Sequence, residues 1–345
     1  MTLHDSAPPM QARPATQPDR FEWVPAEFAR YEIDLETAAS LMGVDARRAA
    51  ELAPDALPHA SDAARGPLFD YVDVMNLALC TGTSRESIPE LALRFLLRFA
   101  AGPRPSWFEP RQWLVRVRAP LPTGGVPKGL AADPSWSGLV LRGPDLSAPG
   151  VEELDGAIPG RPAAAPVEPP GYQVAVRLTG AEDTVREPDA RRIYAELFGA
   201  LVSGEVIYQS VSEELRMQHE RAWDLGMADC VVVSRLLAQE LRAAGLEARA
   251  RRGYLLGLVG SDHAWCELRE DGRWKTLDIV FAFLAGGGGR RRIDASAEFA
   301  AACLGGRFNR LLPCESADAG ALILSGGKPA PPWALAGVSA HTWES

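Results

Sequence analysis

The sequence predicts an α+β chain in which one helix packs on an antiparallel sheet, and two patterns carry that prediction. From Asp229 to Gly245 the apolar residues Val232, Val233, Leu236, Leu237 and Leu241 recur at the spacing of a helix with one buried face. From His263 to Phe281 two alternating runs, HAWCEL and RWKTLDIVF, flank an Asp271–Gly272 pair. Asp-Gly between alternating runs is the strongest short hairpin signal. Helical spacings between residues 21 and 100 add a small helical module ahead of this core.

Taken in order, residues 1–20 read as a disordered tail without a charged-then-apolar leader layout. Residues 21–102 form the helical module. Asp34 caps LETAASLM with Gly43 as its stop, DARRAAELA follows, and PLFDYVDVMNLALC and SIPELALRFLLRFA supply two further helices. The run Leu35–Leu52 loosely resembles the helix-turn-helix of excisionase- or MerR-like modules. Only Arg47 and Arg48 are placed to meet phosphates there, against Glu32, Asp34, Glu36, Asp45 and Glu51, so DNA is not the expected partner. Residues 103–170 hold a strand at Leu114–Arg118, an apolar piece at SGLVLRG and a Pro/Gly-rich connection.

Residues 171–314 form the core. Tyr172–Leu178 alternates as a strand, and Pro188 opens a helix with Ile193, Leu197, Ala200 and Leu201 as its stripe. GEVIYQSV is extended, and SEELRMQHERAWDLG is one helix leading to the cysteine, with His219 on its solvated face as a weak second candidate for a base. The glycine run after Phe283 is a linker, and Arg290, Arg291 and Arg292 behind it are candidates for steering an acidic partner. Residues 315–345 are a C-terminal extension, a short strand followed by a Pro-rich tail.

Composition excludes several classes. A net charge of −9 over 345 residues disfavours general binding to nucleic acid or anionic membrane. No apolar run reaches membrane-spanning length. Cys80, Cys230, Cys266, Cys303 and Cys314 show neither paired spacing nor a zinc pattern with the five histidines. The expectation is a cytoplasmic chain with no metal and no cofactor; no acidic loop has a calcium-binding pattern.

The chemistry concentrates between residues 226 and 283. Asp229 as N-cap puts Cys230 in the first turn of its helix, where free backbone N–H groups and the helix dipole favour a thiolate and can hold an oxyanion. The alternative is a small buried hydrophobe. With Asp271 and Gly272 as the turn, Cys266 pairs with Leu277, and Trp265 faces Asp278. His263, Trp265 and Asp278 then share one face, with His263 and Asp278 as diagonal neighbours, while Cys266 packs on the other. Those positions suit a nucleophile, a base and an acid that orients the base; the alternatives are a satisfied core histidine and a capping aspartate.

Gly226–Cys230, RAAGLEAR, GYLLG, HAWCEL, the Asp-Gly turn and WKTLD together resemble the transglutaminase-like superfamily, a branch of the papain-like cysteine folds. In GMADC the glycine stands further from the cysteine than is usual there. The resemblance implies a nucleophile helix packed on an antiparallel sheet, with Cys230, His263 and Asp278 at the three catalytic positions. Trp265 and Trp274 match the family's aromatics, and an extra oxyanion donor comes from upstream of the cysteine, with Trp223, Gln218, Gln209 and Tyr208 as candidates. It further implies attack on an amide, ester or thioester and transfer of the acyl group to an amine or to water. The expectation is amide-bond formation in a biosynthetic pathway, with an acyl- or peptidyl-carrier protein as candidate partner. The alternatives are a cysteine peptidase or amidase, and a non-catalytic scaffold.

Overall fold

The structure is a computed structural model that describes residues 21–52, 57–81, 95–118, 139–154, 171–257, 261–288, 297–330 and 337–342. The expected tail, residues 87–94 of the helix expected over 87–100, most of the Pro/Gly-rich connection and Arg290–Arg292 lie outside the described residues, while 95–100 is helical as expected.

At the centre is a five-stranded antiparallel sheet in the order β13-β12-β11-β10-β14. Its strands are β10 (Ala248–Leu255), β11 (Ser261–Glu270), β12 (Arg273–Leu277), β13 (Leu304–Gly305) and β14 (Leu311–Pro313). Asp271 and Gly272 both take positive φ, 53° and 74°, as a tight two-residue hairpin requires. The register is the expected one, Glu270 opposite Arg273 and Cys266 opposite Leu277. At Gly253, opposite His263, β14 comes so close that a Cβ would lie 2.0 Å from Leu312 O. Only glycine fits there.

Helix α9 (Cys230–Ala243) lies across β10 and β11, with α6 (Pro188–Ser203) and α8 (His219–Asp224) against it. Leu237 and Leu241 are almost fully buried; truncating such a leucine to alanine costs about 2–5 kcal/mol. Gly245, φ 81°, follows the C-terminal turn as expected. The stretch expected to be one helix before the cysteine is two, α7 (Glu213–Met217) and α8, separated at Gln218, whose φ of −106° and ψ of 53° interrupt the helix.

A second antiparallel sheet has the order β17-β4-β7-β6, from β4 (Arg111–Arg118), β6 (Val151–Glu153), β7 (Gly171–Leu178) and β17 (Gly337–Thr342). Strand β7, assigned from sequence to the core, pairs along its whole length with β4, and β17 of the C-terminal extension closes the other side of β4. Val115, Val117 and Val176 of this sheet pack with Tyr254, Leu256 and Leu312 of the central one.

The N-terminal module is not wholly helical. Strands β1 (Tyr31–Asp34), β2 (His59–Asp62) and β3 (Gly66–Asp70) form a sheet in the order β1-β3-β2 beside α1 (Leu35–Met42), α2 (Ala46–Leu52) and α3 (Tyr71–Thr81). The apolar run at 67–80 changes structure at Asp70, whose carboxylate accepts the N–H groups of Val72 and Asp73 and so starts α3 there. On α2, Arg47 and Arg48 both pair with Glu51. The module is fastened to the core by several bonds: Gln209 exchanges two 2.8 Å bonds with the backbone of Glu22, Asn76 exchanges bonds of 2.8 and 3.0 Å with that of Ser210, and Arg30 and Glu27 pair with Glu214 and Arg221. Among the described residues, no helix is long and apolar enough to cross a membrane.

Candidate active site

Cys230 opens α9, buried to 8% of its free exposure. Asp229 is the N-cap, and one of its carboxylate oxygens accepts the N–H groups of Val231 and Val232 at 2.9 and 3.1 Å. This corrects one expectation: the first-turn donors imagined for an oxyanion are taken by the cap, and Cys230's own N–H is the helix-end donor nearest its sulfur. The cap also sets a negative charge beside Cys230, which opposes the helix dipole. Its second oxygen is held by Arg216 Nε at 2.5 Å.

His263 stands on β11, one of the two strands on which α9 packs, and is 5% exposed. Its Nε2 meets Asp278 Oδ2 at 2.7 Å. Asp278 follows the last paired residue of β12 instead of facing Trp265 across the ladder, because there the chain turns into α10 (Ile279–Phe283), whose five residues are all buried. Asp278 caps that helix with Oδ1, accepting Phe281 N–H at 2.9 Å. Its backbone is fixed too, N–H to Cys303 O at 2.9 Å and C=O from Tyr194 Oη at 3.3 Å. The capping reading and the acid reading of Asp278 thus hold together, one oxygen for each.

Cys230 lies within electrostatic reach of the same imidazole. Burial works against a charged ring, but the charge and hydrogen bond of Asp278, and then Cys230, outweigh it and push His263 up to about 10. The ring is clamped by Phe281, stacked with centroids 4.1 Å apart, and neighboured by Trp265 at 6.1 Å. Trp265 is 3% exposed and directs Nε1 toward Glu267 at 3.4 Å. Trp274 lies under the Arg249 guanidinium, 4.1 Å from its ring centre. Phe281 carried no expected role; its place three residues after a capping aspartate is the signal that was available.

The four upstream candidates separate clearly. Tyr208, on the short strand β8 (Ile207–Tyr208), pairs in parallel with β9 (Met227–Ala228), which leads directly into Asp229 and Cys230. Burial raises its phenol well above the usual value, and next Cys230 and Asp229 raise it. It stays a protonated donor beside the sulfur. Gln209 is spent on Glu22, and its amide is a clasp for the N-terminal module. Gln218 lies at the break between α7 and α8. Trp223 lines a cavity of about 770 Å³ with Leu236, Glu240 and Ala243, toward the opposite end of α9 from Cys230. His219, read as solvated, is instead bound by Gln239 Oε1 at 2.8 Å and Arg235 Nε at 3.2 Å. Both ring nitrogens are used there, so it is no reserve base.

Residues 172–279 match the family described as the transglutaminase-like superfamily. No curated protein matches the chain. Among solved structures, the chain is similar to a protein of Cytophaga hutchinsonii provisionally titled a cysteine protease. That match has 12% identity over 68% of this chain and 89% of the other, with a TM-score of 0.33. It is also similar to a structure titled a TGase, at 14% identity over 44% of this chain and 50% of the other, with a TM-score of 0.20. The matched family segment contains α9, β10, β11, β12 and the arrangement of Cys230, His263 and Asp278, which suits cysteine-based catalysis. The segment 172–279, which holds all three of these residues, is thus similar to the transglutaminase-like superfamily.

Proposed function

We propose that the chain is a cysteine acyltransferase with Cys230 as nucleophile, His263 as base and Asp278 as the acid that orients the base. One observation carries this reading: the Asp278 carboxylate holds the buried His263 ring at 2.7 Å, and Cys230, at the start of a buried helix, acts on the charge of that same ring. For attack, the thiol proton passes to the imidazole. The thiolate attacks the carbonyl carbon of a thioester, ester or amide, and the carbonyl electron pair moves onto oxygen. The Cys230 N–H and the Tyr208 O–H are the donors we assign to that oxyanion. Collapse expels the leaving thiol, alcohol or amine, which takes the proton from His263, and an acyl-thioester on Cys230 remains. An amine then attacks, His263 accepts its proton, and the amide leaves as the thiolate–imidazolium pair re-forms.

We assign the acceptor to the amines rather than water because the centre is dry. Cys230, His263 and Asp278 are 8%, 5% and 1% exposed, and Phe281 and Trp265 shield the imidazole. An acyl group carried as a thioester on a carrier protein is the donor class proposed.

The test has two stages. Iodoacetamide at about pH 6, well below the ordinary thiol pKa of about 8.5, is expected to label Cys230 ahead of Cys80 and Cys303. Incubation with a model acyl-thioester is then expected to give amide when a primary amine is present and little free acid without it. Free acid released at one rate with and without amine makes the protein a hydrolase. A Cys230 no more reactive than the other cysteines makes it a non-catalytic scaffold.

A further inference from the structure

The residue before Cys230 and the residue before His263 are the two ends of one chain of ion pairs. Asp229 is held by Arg216, Arg216 by Glu213 at 2.5 Å, Glu213 by both Nη atoms of Arg252 at 3.0 and 2.5 Å, and Arg252 by Asp262, with its Nε 2.9 Å from Oδ1. Charges alternate in sign along it, and the surplus negative charge falls on Asp262, the one member whose side chain is a third exposed. The others range from 3% for Arg252 to 20% for Arg216. Such a chain is an expensive thing to bury, and the mechanism above uses none of its members.

We infer that Arg216, braced by Glu213 and Arg252, is a positioning and charge-balancing residue that lets Asp229 cap α9 without leaving a net negative charge against the Cys230 thiolate. Three features support this beyond the bonds. Asp229 is next in sequence to the nucleophile, so an unbalanced carboxylate there repels the thiolate at short range. The Tyr208 phenol, on the strand that pairs with the lead-in to Cys230, lies within electrostatic reach of Cys230, Asp229, Arg216 and Asp278. The chain also fixes Asp262 on β11 to α7, so the strand that carries His263 is aligned on the helix that carries Cys230. The charged and titratable groups around this end of α9 are then His263 from β11 with Asp278 on its Nε2, Tyr208 from β8, Asp229 itself, and Arg216 from α7 on the Asp229 carboxylate.

The inference rests on the reading of Cys230 as nucleophile, and sign separates the two. The rate of Cys230 alkylation is followed from pH 4 to 10 in the full chain for wild type, Arg216→Gln and Glu213→Gln. Arg216→Gln removes a positive charge and is expected to move the acid limb of the profile to higher pH by about one unit or more. Glu213→Gln leaves two arginines with less compensation and is expected to move the limb to lower pH by several tenths of a unit. Arg216→Gln with Asp229→Asn, a neutral capping pair, is expected to return the limb to its wild-type position. It also serves as the folded reference if the single arginine variant is unstable. Two shifts of the same sign, or no shift in folded variants while wild-type Cys230 still labels fast, overturn the charge-balancing role alone. A wild-type Cys230 that shows no acid limb below that of an ordinary thiol overturns the nucleophile reading as well.

Discussion

Helix α9 has a histidine near each end, one buried and one half-buried, and the two keep opposite kinds of company. Near the N-terminus, His263 has a carboxylate on one ring nitrogen and a thiol as its other polar neighbour. Further along, His219 accepts from the Arg235 guanidinium on one nitrogen and meets the Gln239 amide with the other. The first environment favours an added proton; the second is a closed pair of bonds that fastens α8 to α9. What makes a histidine a base here is the charge of its neighbour, since both rings are held at about 2.7–2.8 Å.

The sharpest way to break the contrast is to remove each ring. His263→Ala is expected to slow Cys230 alkylation at pH 6 by about 100-fold, because a thiol returned to a pKa of about 8.5 is only about 0.3% thiolate there. Rates mapped peptide by peptide decide it, and an unchanged rate ends the pairing. Asp278→Asn comes next. Asparagine still caps α10, so the fold is expected to survive while alkylation at pH 8 falls by roughly 10-fold, as the imidazolium loses the charge that raised it.

The same pair predicts how stability depends on pH. His263 rises from 6.5 to about 10 on folding, so its stabilisation is fully present below pH 6.5 and is lost as pH climbs through 10. Urea midpoints for wild type and His263→Gln should therefore differ most at pH 6 and converge above pH 10. The Gln209 clasp is a smaller matter. Gln209→Ala removes both bonds to the Glu22 backbone and is expected to cost about 1–3 kcal/mol in urea unfolding. His219→Ala is expected to leave the Cys230 alkylation rate unchanged and to lower stability by about 1 kcal/mol through the two lost bonds. A labelling defect in that variant would mean the two ends of α9 are coupled.

The sequence alone determined everything that depends on near neighbours. The helix from Cys230 with Asp229 as cap, the Asp271–Gly272 hairpin and its register follow from periodicity and turn chemistry within about twenty residues. From those came the meeting of His263 and Asp278. Tertiary structure decided what depends on distant partners. The cap's consumption of two N–H donors needed only Asp229, but the Arg216 that neutralises it is placed by Glu213, and Glu213 by an arginine thirty-nine residues away. Gln209 became a clasp because Glu22, 187 residues earlier, is folded against it. Strand β7 joined β4 and β17 because a strand's partners are chosen by the faces left to cover, which its own alternation does not encode. Local pattern fixes which face of an element is apolar; only the assembled chain fixes which charge, and whose backbone, that element meets.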